Sequence, residues 1–120
     1  MKFLAIAPAL PSLDMQASIA FYRDVLGCTI QTYQDDSYAV VSRNGMALHL
    51  WTCSDPDIPA ASGCWITIDD AQYLYDACAK AGVIHPKAHI EAKPYGMLEF
   101  GVLDPSGNLI RFGQQIAEIW

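Results

Sequence analysis

A chain of 120 residues, 52% apolar and 17% charged, suits one globular domain or two small modules that share a core. It carries 7 basic against 13 acidic residues, a net charge of −6, which disfavours nucleic acid as a partner and favours cationic ligands or simple solubility. No apolar run approaches the roughly 20 residues that span a bilayer, and Met1-Lys2-Phe3-Leu4-Ala5-Ile6 meets Pro8 before a signal-peptide core could form, so a soluble cytoplasmic protein is expected.

Residues 3–7 read as a strand that Pro8, Pro11 and Ser12 interrupt. Asp14 is a good N-cap for the helix that follows, in which Met15, Ile19, Tyr22 and Leu26 form one apolar stripe and Gly27 stands at the end. Strands are predicted at 29–34, 38–43 and 46–52, the last two joined by the hairpin signal Asn44-Gly45. Residues 54–62 lack periodicity and hold two prolines, so they read as a connection between modules. The pattern then restarts: a strand at 63–68, a helix capped by Asp69-Asp70 with Ala71, Leu74, Tyr75, Cys78 and Ala81 on one face, Gly82 at its end, and strands near 83–90, 97–103 and 108–114. Cys28, Cys53, Cys64 and Cys78 have no C-x-x-C spacing and are expected as buried thiols.

Two copies of one unit are visible. Gly45-Met46-Ala47-Leu48-His49-Leu50 recurs in kind as Gly107-Asn108-Leu109-Ile110-Arg111-Phe112, which makes His49 and Arg111 equivalent; counting back from Asp14 and Asp70 pairs Ala7 with Gly63. The division is a first βαβββ module at 1–56, a linker at 57–62 and a second module at 63–120, together one structural domain of the α+β class. Side chains alternate across a strand, so Leu48, Leu50, Ile110 and Phe112 are expected to face the helices. His49, Trp51, Trp65 and Arg111 then share the opposite face, where a pocket would lie.

The residues Leu13-Asp14-Met15, Phe21-Tyr22 and Leu26-Gly27, with Leu103-Asp104-Pro105-Ser106-Gly107-Asn108 in the second half, resemble the glyoxalase/bleomycin-resistance/dioxygenase superfamily over nearly the whole chain. The resemblance implies paired βαβββ modules forming a cupped mixed sheet with helices on the outer face. In the metalloenzymes of the superfamily, the four equivalent strand positions bind a divalent metal. Here those positions are Ala7, His49, Gly63 and Arg111, of which only His49 offers a ligand atom, so neither a metal nor any other cofactor is expected.

Leu10-Pro11-Ser12, Asp57-Ile58-Pro59-Ala60, Trp65 ahead of Asp69-Asp70, and Lys93-Pro94-Tyr95-Gly96 ahead of Glu99-Phe100 are similar to the bleomycin-resistance group of that superfamily. That likeness implies acidic homodimers that trade N-terminal strands and hold cationic, aromatic drug molecules in interface crevices. Pro8 stands where the exchange hinge would be. Tyr38, Tyr95 and His49 depart from the residues common in that group.

Seven residues are candidates for ligand binding. Trp65, Tyr38 and Trp51 could stack on a planar ring, against the alternatives that they belong to the core or, for Trp51, pack on the linker. Glu99 could meet a ligand ammonium or pair with Lys93 or Arg111, and Gly101 could leave room beside it. His49 and Tyr95 would set hydrogen bonds, His49 having the alternative of a base in a metal-free enzyme. Arg111 could hold an anionic group or neutralise a carboxylate. His85 and His89 read as surface residues, Asp69-Asp70 as a helix cap, and 104–107 as a turn.

The leading expectation is a non-catalytic, dimeric protein that sequesters a small cationic aromatic molecule, plausibly a bleomycin-type antibiotic. No catalytic residue is assigned. The competing readings are a metal-dependent lyase, isomerase or dioxygenase using His49 with Glu99, and a sensor for another small metabolite.

Overall fold

A computed structural model of the chain describes residues 1–117, the Gln34 side chain excepted; the last three residues of the expected second module lie outside the described residues. The elements run β1 (Ala9–Ser12), α1 (Met15–Ala20), β2 (Thr29–Gln34), β3 (Tyr38–Arg43), β4 (Met46–Thr52), α2 (Asp57–Ala60), β5 (Gly63–Thr67), α3 (Ala71–Lys80), β6 (Glu91–Ala92), β7 (Met97–Leu103) and β8 (Leu109–Gln115). They form two four-stranded sheets with the same plan, β1-β4-β3-β2 and β5-β8-β7-β6, in which only the β1–β4 and β5–β8 pairs are parallel. The repeat seen in the sequence is thus a repeat of topology.

Both helices start on the expected aspartates: Asp14 Oδ1 accepts from the Ala17 N–H at 3.2 Å, and Asp70 Oδ1 from the Tyr73 N–H at 3.1 Å. After Ala20 the first helix widens into a π turn over Phe21–Val25, with the Leu26 N–H reaching the Phe21 carbonyl at 3.3 Å. That change of pitch keeps both Phe21 and Tyr22 buried against the sheet. The β3–β4 hairpin turns through Asn44 and Gly45, whose φ values of 53° and 79° are those of a two-residue type I′ turn.

Three expected elements differ. The first strand is at Ala9–Ser12 rather than 3–7. β1 is an edge strand that turns the Pro8 and Ser12 carbonyls toward β4, so the Pro11 nitrogen faces the open side and no ladder bond is lost. The register Ala9↔His49 would set residues before 6 beyond Met46, where β4 gives way to the hairpin turn. In place of a strand at 83–90 there is an isolated bridge, Ile84↔Val102, a turn closed by the Ala88 N–H on the His85 carbonyl at 2.9 Å, and the two-residue β6. The linker also contains a helical turn, α2, with Pro59 buried beneath it.

The core is one cluster spanning both sheets. Leu48, Leu50, Val102 and Ile110 are wholly buried on the helix-facing sides, with Tyr22, Leu26, Ala71 and Cys78 against them, and Phe100 stacks on Phe112 at 5.1 Å between ring centroids. Cys28, Cys53 and Cys78 are buried and Cys64 half-buried, all as free thiols.

The stretch read as a simple turn at 104–107 also joins the modules. The buried Asp104 carboxylate accepts from the Ser106 and Asn108 N–H groups at 3.0 Å each, from Asn108 Nδ2 at 2.8 Å and from the Tyr22 hydroxyl at 2.7 Å. Asn108 Nδ2 also donates to the Pro11 carbonyl at 2.8 Å, and the Leu13 N–H to Ser106 Oγ at 2.9 Å. A carboxylate with four donors tolerates burial, so the β7–β8 loop is locked to the start of α1.

Candidate functional site

Strand alternation divides the candidate residues into two groups, one on each sheet. On the first, Leu48 and Leu50 face the core while His49 and Trp51 on the same strand are only half-buried on the other face. Tyr38 pairs across with Trp51, and its hydroxyl lies 2.6 Å from His49 Nδ1, the rings edge to face at 5.6 Å. Tyr38, His49 and Trp51 therefore form one aromatic and hydrogen-bonding surface.

On the second sheet Trp65 lies opposite Arg111 and is 44% exposed, so it is not a core tryptophan. Its Nε1–H donates to Thr67 Oγ1 at 2.9 Å. The ring occupies the space above Gly113: a Cβ there would collide with the Trp65 ring carbons and come within 2.9 Å of Met97 Cε. Glycine at 113 is what lets the indole lie across β8.

Glu99 rises from β7 on the same face. The Tyr95 hydroxyl stands beside its carboxylate, and that interaction, ahead of partial desolvation, holds the tyrosine pKa above its ordinary value. Glu99 Oε2 is buried without a hydrogen-bond partner, a condition shared among the described residues only by Asn108 Oδ1 in the inter-module network. An unpartnered buried oxygen of this kind costs about 1–3 kcal/mol. The expected pairing of Glu99 with Lys93 or Arg111 is not found among the described residues; Lys93 meets Glu91 instead, at 3.6 Å.

A cavity of about 560 Å³ opens beside Glu99, walled by the 85–91 segment, Lys93, Leu109 and Arg111. Gly101, expected to leave room for a ligand, lines this cavity, but the position its Cβ would take is met by the protein's own atoms. The Gly101 N–H bonds to the Ala88 carbonyl and its carbonyl to the His85 N–H, each at 2.9 Å, and a Cβ would come within 3.0 Å of Ala88 and 3.1 Å of Leu109. The missing side chain makes room for the protein's own loop. That loop brings His85, Lys87 and His89 to the cavity wall, a role with no periodic signal in the sequence. A second cavity of about 560 Å³ lies on the helix-facing side between the modules, with an apolar floor that includes Leu26, Leu48, Ile66 and Phe112.

The residues do not fit a metal. His49 and Arg111 lie across from Ala9 and Trp65 in the ladders, Ala7 and Gly63 bring no ligand atom, and His49 Nδ1 is engaged by Tyr38. Among the described residues no three His, Cys, Asp or Glu side chains gather as a ligand set. Nor is any described helix long and apolar enough to cross a membrane.

Two sheets of identical order, each a βαβββ unit with its helix on one face and its polar, aromatic residues on the other, define a paired-module α+β protein of the vicinal-oxygen-chelate type. Residues 6–112 match the Glyoxalase/Bleomycin resistance protein/Dioxygenase superfamily, and the chain belongs to it. It is 34% identical to the bleomycin resistance protein of Geobacillus stearothermophilus over 126 residues, covering 91% of this chain and 95% of that protein, and equally similar to one from Staphylococcus aureus. Among solved structures, it resembles the bleomycin-binding protein of the bleomycin producer Streptomyces verticillus in complex with copper(II)-bleomycin, at TM-score 0.79 and 29% identity over 93% of this chain and 96% of that one. The bleomycin resistance determinant encoded on the transposon Tn5 shares the fold at TM-score 0.79 and 24% identity, over 96% of this chain and all of that one.

Proposed function

We propose that this protein sequesters a small cationic, aromatic molecule of the bleomycin type by stoichiometric binding in the cytoplasm, without catalysis. The observation that carries this reading is Glu99: a carboxylate beside Tyr95, with one buried oxygen unpaired, on the same face as the exposed indole of Trp65. A ligand ammonium or amide donor would pair with that carboxylate while an aromatic ring stacked on Trp65. The 34% identity to proteins named for bleomycin resistance supports the ligand class.

The site is completed by a second copy of the chain. Tyr38, His49 and Trp51 are on one sheet and Trp65, Glu99 and Arg111 on the other, with Tyr95 in its β6–β7 turn, so a crevice is built when the first module of one protomer faces the second module of its partner. The modules are residues 1–56 and 63–120, joined at 57–62. Residues preceding β1 support strand exchange: Phe3, Leu4 and Ile6 are each more than 90% exposed, an apolar arm that no described residue of its own chain covers. Pro8 is the hinge.

Tryptophan-fluorescence titration with copper-free bleomycin tests the reading on wild type and Trp65→Ala. Saturable quenching in wild type that disappears in the variant, and that weakens with added salt as capture of a cation by an acidic protein requires, is the expected result. Absence of quenching in wild type refutes the antibiotic assignment.

A further inference from the structure

The cavity beside Glu99 is basic in an acidic protein. Of the 7 lysines and arginines in the chain, Lys87, Lys93 and Arg111 line it, and of the 3 histidines, His85 and His89 do so; only Glu91 and Glu99 oppose them. Lys93 is already matched to Glu91 at 3.6 Å. The side-chain cations of Lys87 and Arg111 have neither a hydrogen bond nor an ion pair among the described residues, though they share one concavity.

The histidines are oriented rather than loose. His85 Nδ1 accepts the Lys87 N–H at 3.0 Å, which leaves the ring proton on Nε2 and makes that nitrogen a donor. His89 Nδ1 is tied to the Tyr75 hydroxyl at 2.9 Å. The turn that carries them is fixed to β7 through Gly101, so the donors are supplied by a docked segment.

We propose that this cavity is an oxyanion subsite, in which Lys87, Arg111 and the His85 Nε2–H receive a carboxylate, sulfate or phosphate group of the ligand. Arg111 presents a planar fork suited to two oxygens of one such group, and Lys87 adds a point charge. Because Glu99 lines the same cavity, the ligand that meets both charges is amphoteric, with a donor or cationic group and an oxyanion on one framework. The subsite deepens the binding reading and rests on it for the remainder of the ligand.

The test uses inorganic sulfate and inorganic phosphate as probes, exchanged for chloride at constant ionic strength and pH, with histidine ring resonances followed by NMR. Saturable shifts of His85 and His89 with His49 unmoved, weakened at least about fivefold by either Lys87→Ala or Arg111→Gln and unchanged by Lys80→Ala, are expected for loss of one charged contact. Linear, unsaturable shifts, or affinities indifferent to both cavity variants, overturn the subsite. Copper-free bleomycin, titrated in parallel by tryptophan fluorescence, separates the two ideas. Quenching by bleomycin with no sulfate or phosphate response overturns the subsite and leaves sequestration standing; a saturable anion response without bleomycin quenching upholds the subsite and removes the antibiotic reading.

Discussion

The indole of Trp65 occupies the volume that a side chain at residue 113 would need. Gly113 belongs to the neighbouring strand, opposite Thr67 and Glu99, so the position of the indole proposed for stacking is set by an absent methyl group across the ladder. Gly113→Ala is expected to lower stability by about 1–3 kcal/mol, the usual cost of overpacking, and to swing the indole out of place. Combined with Trp65→Ala, most of that cost should vanish, because the collision is gone. Urea unfolding of the two single variants and the double variant checks this: additive costs would show that Gly113 and Trp65 are not coupled.

Glu99→Gln keeps the shape and removes the charge. One carboxylate oxygen is buried without a donor, so no hydrogen bond is lost at that atom. Stability is expected to stay within about 1 kcal/mol of wild type or to rise, while affinity for a cationic ligand falls about tenfold or more and its salt dependence flattens. Binding isotherms at two salt concentrations, beside thermal melts, give the result; a variant that unfolds readily yet binds normally would contradict the assignment.

Much of this arrangement is legible in the residues because it is local. Asp14 and Asp70 cap the helices they precede, Asn44-Gly45 turns its hairpin, and alternation alone separates Leu48 from His49 and Ile66 from Trp65. What escapes depends on partners distant in sequence. Pro11 looks like a strand breaker until β1 is known to be an edge strand whose unbonded side takes the imino nitrogen. Gly101 looks like ligand space until the 85–88 turn is seen to fill it, and Asp104 looks like a turn residue until Tyr22, 82 positions away, is found donating to it. His85 and Lys87 reach the cavity for the same tertiary reason.

Alkaline conditions should weaken the fold. Burial pushes the Cys64 and Cys78 thiols from 9.0 up to about 11, and burial followed by the charge of Asp104 raises Tyr22 above 10.0. The native state holds these protons more tightly than the unfolded chain, so their contribution is fully present below pH 9 and is lost as pH climbs through about 11. The urea midpoint should be level near neutral pH and decline above pH 9, with a shallower decline in Cys78→Ala. An equal slope in the variant would mean that this thiol does not titrate with unfolding.

The N-terminal arm makes the most direct claim about assembly. Phe3, Leu4 and Ile6 at 92%, 91% and 98% exposure are an unfavourable state for an isolated chain, since each large apolar side chain left in water forgoes about 1.5–3 kcal/mol of burial. Strand exchange across a two-fold axis would cover both arms at once. A chain beginning at Pro8 keeps β1 and every core residue, so its fold should persist. Its sedimentation should shift from dimer toward monomer, and bleomycin quenching should weaken in step, because Tyr38 and Trp65 on different sheets then no longer wall one crevice. A truncated protein that remains dimeric with full binding would place the interface elsewhere; one that is monomeric and still binds would locate the whole site on a single sheet.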